Sequence, residues 1–366
     1  MALALGESSF FLLVVILTAN SMLPLSYASL PAVFIFGDST VDVGTNNYLN
    51  GTATATDRFY GIDYPYSMPT GRFSNGLNTA DFIVSLLGDG RESPPPYLAL
   101  ANNMAGFKSK ILRGVNFASG GSGILEDTGN KTWKAVVSLR NQIDQFAIVQ
   151  ENILEVLGKA KGEHLVANSL YIISSGSNDF VEFTQNNPFV SSTTIMTDVQ
   201  SNFTKHLKTL YSLGARKFAI VSVPAIGCIP AVRAIVGGSC LDDLNNSSRV
   251  FYSSMTKILD NFSSTSEGFL YSIGNTYLMT MSIIDNARAN GFREAINACC
   301  GTGDFNGGDK CTPTSNLCKN RDEYLFWDWF HPTQRASSLA ALTLVFAEGK
   351  EFVTPINFSQ LASKEV

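Results

Sequence analysis

Short apolar runs that stop abruptly at glycine, serine or proline recur along this chain, and longer amphipathic stretches separate them. Residues 32–36 stop at Gly37, 115–118 at Ser119-Gly120-Gly121, 170–174 at Ser175-Gly176 and 218–223 at Pro224; residues 269–273 are a fifth such run. Runs of this length suit strands buried on both faces, as in a parallel sheet. Between them, residues 79–87 end before Gly88, 139–157 before Gly158 and 194–213 before Gly214. Glycine is a common place for a helix to stop. Within 194–213, Met196, Val199, Phe203, Leu207 and Leu210 recur near helical spacing, and 244–262 and 333–346 read alike. Strand alternating with helix predicts an α/β chain whose sheet is mostly parallel and covered on both faces. Ligands in such folds bind outside the carboxyl ends of the strands. The chemistry is therefore expected in the polar, Gly-rich turns after the first three strands.

The 366 residues suffice for one large core or two small ones. Apolar residues make up 45% and charged residues 16%, a balance that buries a core and argues against disorder. The net charge is −5 and Lys and Arg form no cluster, so the basic stripe that a nucleic-acid partner requires is absent from the sequence. No internal repeat occurs, and Pro94-Pro95-Pro96 reads as a rigid loop rather than a domain boundary.

The first 28 residues read as an export signal: 10–17 is an unbroken apolar run and Ser26-Tyr27-Ala28 offers a cleavage site. The run is shorter than the roughly 20 residues that span a bilayer, so no transmembrane segment is expected after its removal. The leading segment lacks Lys and Arg and carries Glu7, and an uncleaved anchor is the alternative. Six cysteines follow, at 228, 240, 299, 300, 311 and 318, an even number suited to three disulfides in an exported protein. Cys228 with Cys240 would close a local loop; Cys299 and Cys300 would each take one of Cys311 and Cys318, in either pairing. Zinc is disfavoured, since no C-x-x-C pair occurs. Acceptors for N-glycans stand at Asn50, Asn130, Asn202, Asn245, Asn246, Asn261 and Asn357, with Asn245 and Asn246 overlapping and sharing one glycan.

Ser39 follows the first strand and a Gly turn, in Phe36-Gly37-Asp38-Ser39, where its hydroxyl would face a pocket. The same residues also suit a plain turn that caps a helix. The G-x-S-x-G elbow of α/β-hydrolases occurs nowhere. A serine nucleophile needs a base, and histidine serves near neutral pH. Of three histidines, His164 lies in a polar segment read as a solvated loop, and His206 is read onto the wet face of a helix between Lys205 and Lys208. His331, in Asp328-Trp329-Phe330-His331-Pro332, differs. Proline disfavours helix at the residue before it, which puts His331 in a turn ahead of the last helix. There Asp328 could accept a hydrogen bond from His331 Nδ1 and leave Nε2 for Ser39. Acyl transfer also needs N–H groups aimed at the developing oxyanion. Ser39 N–H, Gly120 N–H and the Asn178 side-chain amide are the candidates, with Gly121 an alternative to Gly120.

The block Phe36-Gly37-Asp38-Ser39-Thr40-Val41-Asp42-Val43-Gly44-Thr45-Asn46-Asn47 resembles the first block of the plant GDSL esterase/lipase family, a branch of the SGNH hydrolases. Gly71-Arg72-Phe73-Ser74-Asn75-Gly76, the Gly120, Asn178 and Asp328–His331 segments, and Cys299-Cys300-Gly301 followed by Phe326-Trp327-Asp328 are similar to later blocks, in the same order. Thr40 stands where the family name has leucine. The resemblance implies a three-layer α/β/α, flavodoxin-like fold with a central, mostly parallel sheet. It also implies a single domain over residues 29–366. It further implies a Ser39–His331–Asp328 triad, an oxyanion hole of Ser39, Gly120 and Asn178, and no metal or organic cofactor. The expected activity is hydrolysis of carboxylic esters, whether of a small molecule, a lipid or an acylated cell-wall polymer, by a protein secreted to the plant apoplast or wall. Transfer of acyl groups to cell-wall or lipid alcohols, or a non-catalytic wall-associated role, are the alternatives. Residues 45–74, rich in Tyr, Gly and Thr, either line the pocket or form a plain surface loop.

Overall fold

The structure is a computed structural model, which describes residues 32–88 and 90–366; the expected export signal lies outside them. Ten strands occur among the described residues: β1 (Val33–Gly37), β2 (Gly114–Asn116), β3 (Leu170–Ser174), β4 (Lys217–Val221), β5 (Leu270–Gly274), β6 (Glu294–Ala298), β7 (Cys300–Gly301), β8 (Asn316–Leu317), β9 (Tyr324–Phe326) and β10 (Val353–Thr354). The main sheet runs β2-β1-β3-β4-β5-β10, parallel except for the last pair. The chain passes from β1 to one neighbour, β2, and returns to β3 on the other side. The carboxyl ends of β1 and β3 therefore form the switch point at which such sheets open a crevice.

Alternate residues of β1 explain the two covered faces. Phe34 and Phe36 meet Phe117, Phe146 and Tyr171 on one side. Val33 and Ile35 join Ile172, Leu344 and Val345 in a second core on the other. Each such side chain contributes about 1.5–3 kcal/mol by leaving water. The helices Leu139–Leu157, Met196–Ser212 and Asp242–Thr265 send residues into the first core, whereas Thr79–Leu87 and Gln334–Phe346 pack mainly in the second. The result is the α/β, three-layer architecture expected from the sequence.

Boundaries shift modestly from the sequence expectations. The fifth strand sits one residue later, and the helix expected at 194–213 starts at Met196 after a short 3-10 turn, Ser192–Ile195. Four helices of seven or more residues were not anticipated, Lys159–Asn168, Ser177–Asn186, Pro230–Val236 and Thr276–Asp285, nor were the shorter Tyr97–Ala101, Phe107–Lys110, Asn130–Trp133 and Phe358–Ala362. Lys159–Asn168 is a polar segment with little apolar periodicity, and its shape comes from packing on Leu139–Leu157. His164 is thus an exposed helical residue, not a loop residue.

The cysteines pair 228–240, 299–318 and 300–311. The last two brace a small platform. Cys299 N–H donates to Phe326 O at 2.9 Å and Cys300 N–H to Trp327 O at 2.7 Å, which ties the stapled loop to the segment entering the Asp328–His331 turn. No helix among the described residues is long and apolar enough to cross a membrane.

Candidate active site

Gly37 ends β1 at φ 142°, and a Cβ there would lie 1.9 Å from Ser174 O. Only glycine lets β1 and β3 approach this closely while the chain turns. Buried Gln142 brackets that peptide, accepting from Gly37 N–H at 2.8 Å and donating to Gly37 O at 2.9 Å. Asp38 points inward instead of joining the pocket chemistry: its Oδ1 accepts from Thr40 N–H at 3.0 Å and from the Thr40 hydroxyl at 2.8 Å. The Thr40 hydroxyl also lies 2.9 Å from Ser174 Oγ. Threonine at this position therefore ties β1 to β3. Ser39 is left half-buried at the mouth of a cavity.

The turn after β9 brings the other groups from the far end of the chain. Asp328 Oδ1 accepts the N–H groups of Phe330 at 3.0 Å and His331 at 2.8 Å, so the carboxylate shapes the turn as well as facing the ring. His331 Nδ1 lies 2.7 Å from Asp328 Oδ1 and 2.9 Å from Oδ2, and His331 Nε2 lies 2.8 Å from Ser39 Oγ. Trp327 N–H donates to His331 O at 2.7 Å and closes the turn. Burial pushes the Asp328 carboxyl up. The His331 ring, the Tyr60 hydroxyl and the Phe330 N–H outweigh that and hold it below the ordinary carboxylate range. Tyr60 OH donates to Asp328 Oδ2 at 2.7 Å, and Phe73 packs on the imidazole with ring centres 4.9 Å apart. Residues 45–74 thus supply part of the site: Thr52, Ala53, Thr54, Tyr60 and Phe73 line the cavity. Sequence reasoning missed Tyr60 and Asp42, and neither carries a motif that pairs it with its distant partner.

Of the two glycines left open as oxyanion donors, one has its N–H engaged. Gly120 N–H donates to Asp42 Oδ2 at 3.0 Å, deep in the protein, and is not free to face a ligand. Gly121 lines the cavity, and its N–H meets no acceptor among the described residues. Its φ is 85°, and a Cβ would lie 2.4 Å from Trp133 Cδ1, so glycine is required here too. Ser39 N–H is also unengaged among the described residues. Asn178, in the first turn of Ser177–Asn186, donates one amide hydrogen to Ser122 O at 2.9 Å; its second remains for the cavity. His206, read as solvated, is partly buried, with Nε2 3.0 Å from Ile124 O, and burial lowers its pKa.

Two buried carboxylates hold the loop that carries Gly121. Asp42 takes Gly44, Thr45 and Gly120 N–H groups; Asp179 takes those of Ile124 and Leu125 and the Thr128 hydroxyl. Burial raises each from 3.8 to about 6, against the N–H bonds that pull it down. A carboxyl raised in the folded state gains its proton more readily folded than unfolded. Its stabilising contribution is full below 3.8 and lost as pH rises through about 6. The thermal midpoint should therefore be a few degrees higher near about pH 5 than near about pH 7.5. Asp42→Asn should reduce that difference by about half, since Asp179 keeps its own raised carboxyl. A scanning calorimetry series with no rise on acidification would contradict it.

The family model for GDSL-like lipase/acylhydrolase matches residues 33–344. Among curated proteins, three GDSL esterase/lipases of Arabidopsis thaliana are similar over nearly the whole length. One is 36% identical over 342 residues, covering 90% of this chain and 90% of the relative. Another is 36% identical over 365 residues, covering 96% and 93%. The GDSL esterase/lipase LTL1 is 37% identical over 336 residues, covering 90% of each.

Proposed function

From the premise that the chain belongs to the GDSL-like lipase/acylhydrolase family, we propose that it hydrolyses carboxylic esters through an acyl-enzyme on Ser39. The observation that carries this reading is the unbroken hydrogen-bonded line from Ser39 Oγ to His331 to Asp328 at the mouth of a cavity. Ser39 Oγ attacks the ester carbonyl as its proton passes to His331 Nε2. Asp328 holds the ring by Nδ1 and balances the positive charge that forms. The carbonyl oxygen, now an oxyanion, takes hydrogen bonds from Ser39 N–H, Gly121 N–H and Asn178 Nδ2. On collapse, the C–O bond to the alcohol breaks and His331 returns the proton to the leaving oxygen. Water, deprotonated by His331, then attacks the acyl-enzyme and releases the acid with Ser39 restored.

A fluorophosphonate probe tests the reading. It should label the active protein once, on the peptide containing Ser39. Labelling elsewhere, or no labelling of an active preparation, would remove the nucleophile. Asn178→Ala should lower kcat by roughly a hundred- to a thousandfold with KM little changed, since its second amide hydrogen matters only once the oxyanion forms. A matching loss in KM alone would assign Asn178 to ground-state binding instead.

Secretion is part of the same proposal, supported by three disulfides and by several acceptor asparagines at the surface. Asn50, Asn130 and Asn261 are exposed, and Asn202 and Asn246 partly so. Asn245 is buried, with Oδ1 taking Gly227 N–H at 3.0 Å, and Asn357 caps the last helix from a buried position. Of the overlapping pair, Asn246 therefore carries the glycan. Peptide mapping of the secreted protein should find Asn245 and Asn357 bare, and a glycan on either would contradict the assignment.

A further inference from the structure

The Gly121 N–H that faces the cavity belongs to a peptide whose other end is held. In the Gly120–Gly121 unit the carbonyl is Gly120 O and the N–H is that of Gly121. The bond is trans, because the one cis peptide among the described residues joins Thr354 to Pro355. Carbonyl and N–H therefore point in opposite directions across a single plane. Gly120 O accepts a hydrogen bond from Asn46 Nδ2 at 2.8 Å. Whatever turns that carbonyl turns the N–H with it.

Asn46 is placed to grip this peptide without touching a ligand. It is 3% exposed and is not among the residues that line the cavity. Its second amide hydrogen goes to Ala53 O at 2.8 Å, and its Oδ1 accepts from the Ser119 hydroxyl at 2.6 Å. With a carbonyl on each amide hydrogen and a hydroxyl on the oxygen, the side chain cannot flip or swing without leaving a buried polar group unpaired. Asp42 seats the arrangement. Its Oδ1 accepts Gly44 N–H at 2.8 Å and Thr45 N–H at 2.7 Å, which fixes the turn Thr45–Tyr48 that carries Asn46. Its Oδ2 accepts Gly120 N–H at 3.0 Å. Glycine at 120 permits the approach, since a Cβ there would lie 2.5 Å from Phe73 Cε2 and 3.1 Å from Asn46 Nδ2.

We propose that Asn46 is a positioning residue of the oxyanion hole: by holding Gly120 O it fixes the plane of the Gly120–Gly121 peptide and aims the Gly121 N–H at the oxyanion. The inference rests on the ester-hydrolase reading above. A donor lowers the barrier when it already points to where charge will develop. A hydrogen bond on a peptide carbonyl also polarises the N–H of the same unit, so Asn46 strengthens the donor that it aims. The uncharged ester carbonyl gains little from either effect, and the loss of Asn46 should appear in kcat rather than in KM.

The test sets hydrolysis of p-nitrophenyl valerate beside inhibition by butyl trifluoromethyl ketone, which carries the same acyl chain. Ser39 Oγ adds to the ketone carbon, its proton passes to His331 Nε2, and the carbonyl pair becomes an oxyanion with no leaving group to expel. In purified Asn46→Ala, kcat should fall by roughly ten- to a hundredfold with KM within about twofold, and the Ki of the ketone should rise by the same factor. The acid limb of the kcat/KM profile should keep the midpoint of the parent, because Asp328 and His331 are untouched. A variant that loses thermal stability but keeps the parent kcat would overturn the proposal, as would a fall in kcat with Ki within about twofold of the parent. Asn46→Asp keeps the shape and serves where the alanine variant does not fold. Ionised, it offers Gly120 O no donor; protonated, it offers one. Its kcat, divided by that of the parent at the same pH, should rise several-fold as pH is lowered from about 8 to about 6, and a flat ratio would count against Asn46. Valerate hydrolysis that survives Ser39→Ala would instead overturn the nucleophile assignment beneath it.

Discussion

Ser39→Ala is expected to lower kcat by roughly ten thousand- to a millionfold while the thermal midpoint stays within about a degree or two. The size follows from what the substitution removes. Without Oγ no acyl-enzyme forms, and His331 loses the group whose proton it takes at 2.8 Å. What remains is the oxyanion donors and the cavity, which together retain a residual acceleration of about a thousandfold or more over water. The small effect on folding follows from the surroundings. Ser39 is half-exposed, its N–H is unengaged among the described residues, and its one recorded side-chain partner is His331. The turn itself is held by neighbours: Gly37 through Gln142, Asp38 N–H through Ser174 O, and Thr40 through Asp38. Active-site-titrated kinetics on a p-nitrophenyl ester, with circular dichroism of the same sample, checks both halves. Retention of more than about one part in a hundred of the activity would mean another residue attacks the ester.

The sheet was legible because both of its faces are buried. Each strand reads as a continuous apolar run, and each run ends where polar chemistry begins. Ser39 and Asn178 could be located for that reason, since a residue just past such a strand must sit at the crevice. His331 and Asp328 were legible for a local reason, three residues apart and pinned ahead of a proline. What escaped was everything set by contact at long range. Tyr60 reaches Asp328 across 268 positions from a segment without regular structure. The choice between Gly120 and Gly121 depends on Asp42, 78 positions away, taking the Gly120 N–H. A Gly-Gly pair in sequence does not say which of its two N–H groups is already engaged. His206 looked solvated beside two lysines, yet its ring reaches a carbonyl on the loop that Asp179 also holds. The disulfide pairing was open for the same reason, since adjacent Cys299 and Cys300 differ only in the way each faces once β7 pairs with β8.

Asp328→Asn separates holding the imidazole from charging it. Asp328 is wholly buried and accepts four hydrogen bonds: from Phe330 N–H, His331 N–H, His331 Nδ1 and the Tyr60 hydroxyl. An asparagine of the same shape can keep its oxygen toward the two backbone N–H groups. Its amide NH₂ then falls where Oδ2 lay, 2.9 Å from His331 Nδ1 and 2.7 Å from Tyr60 OH. Nδ1 then faces a donor beside the retained oxygen, 2.7 Å away, so the tautomer with hydrogen on Nε2, which cannot accept the Ser39 proton, competes with the productive one. The negative charge that balances the imidazolium is lost as well. Together these predict a fall in kcat of about ten thousandfold, close to the loss of the nucleophile itself. The fold should survive, because a neutral isostere replaces a buried charge without opening a cavity. Tyr60→Phe is the control. It removes one of the four hydrogen bonds but keeps the carboxylate, so its loss should be far smaller, on the order of tenfold. If Asp328→Asn cost no more than Tyr60→Phe, Asp328 would act by shaping the turn through its two backbone bonds. The charge on the far side of the ring would then not be what drives Ser39.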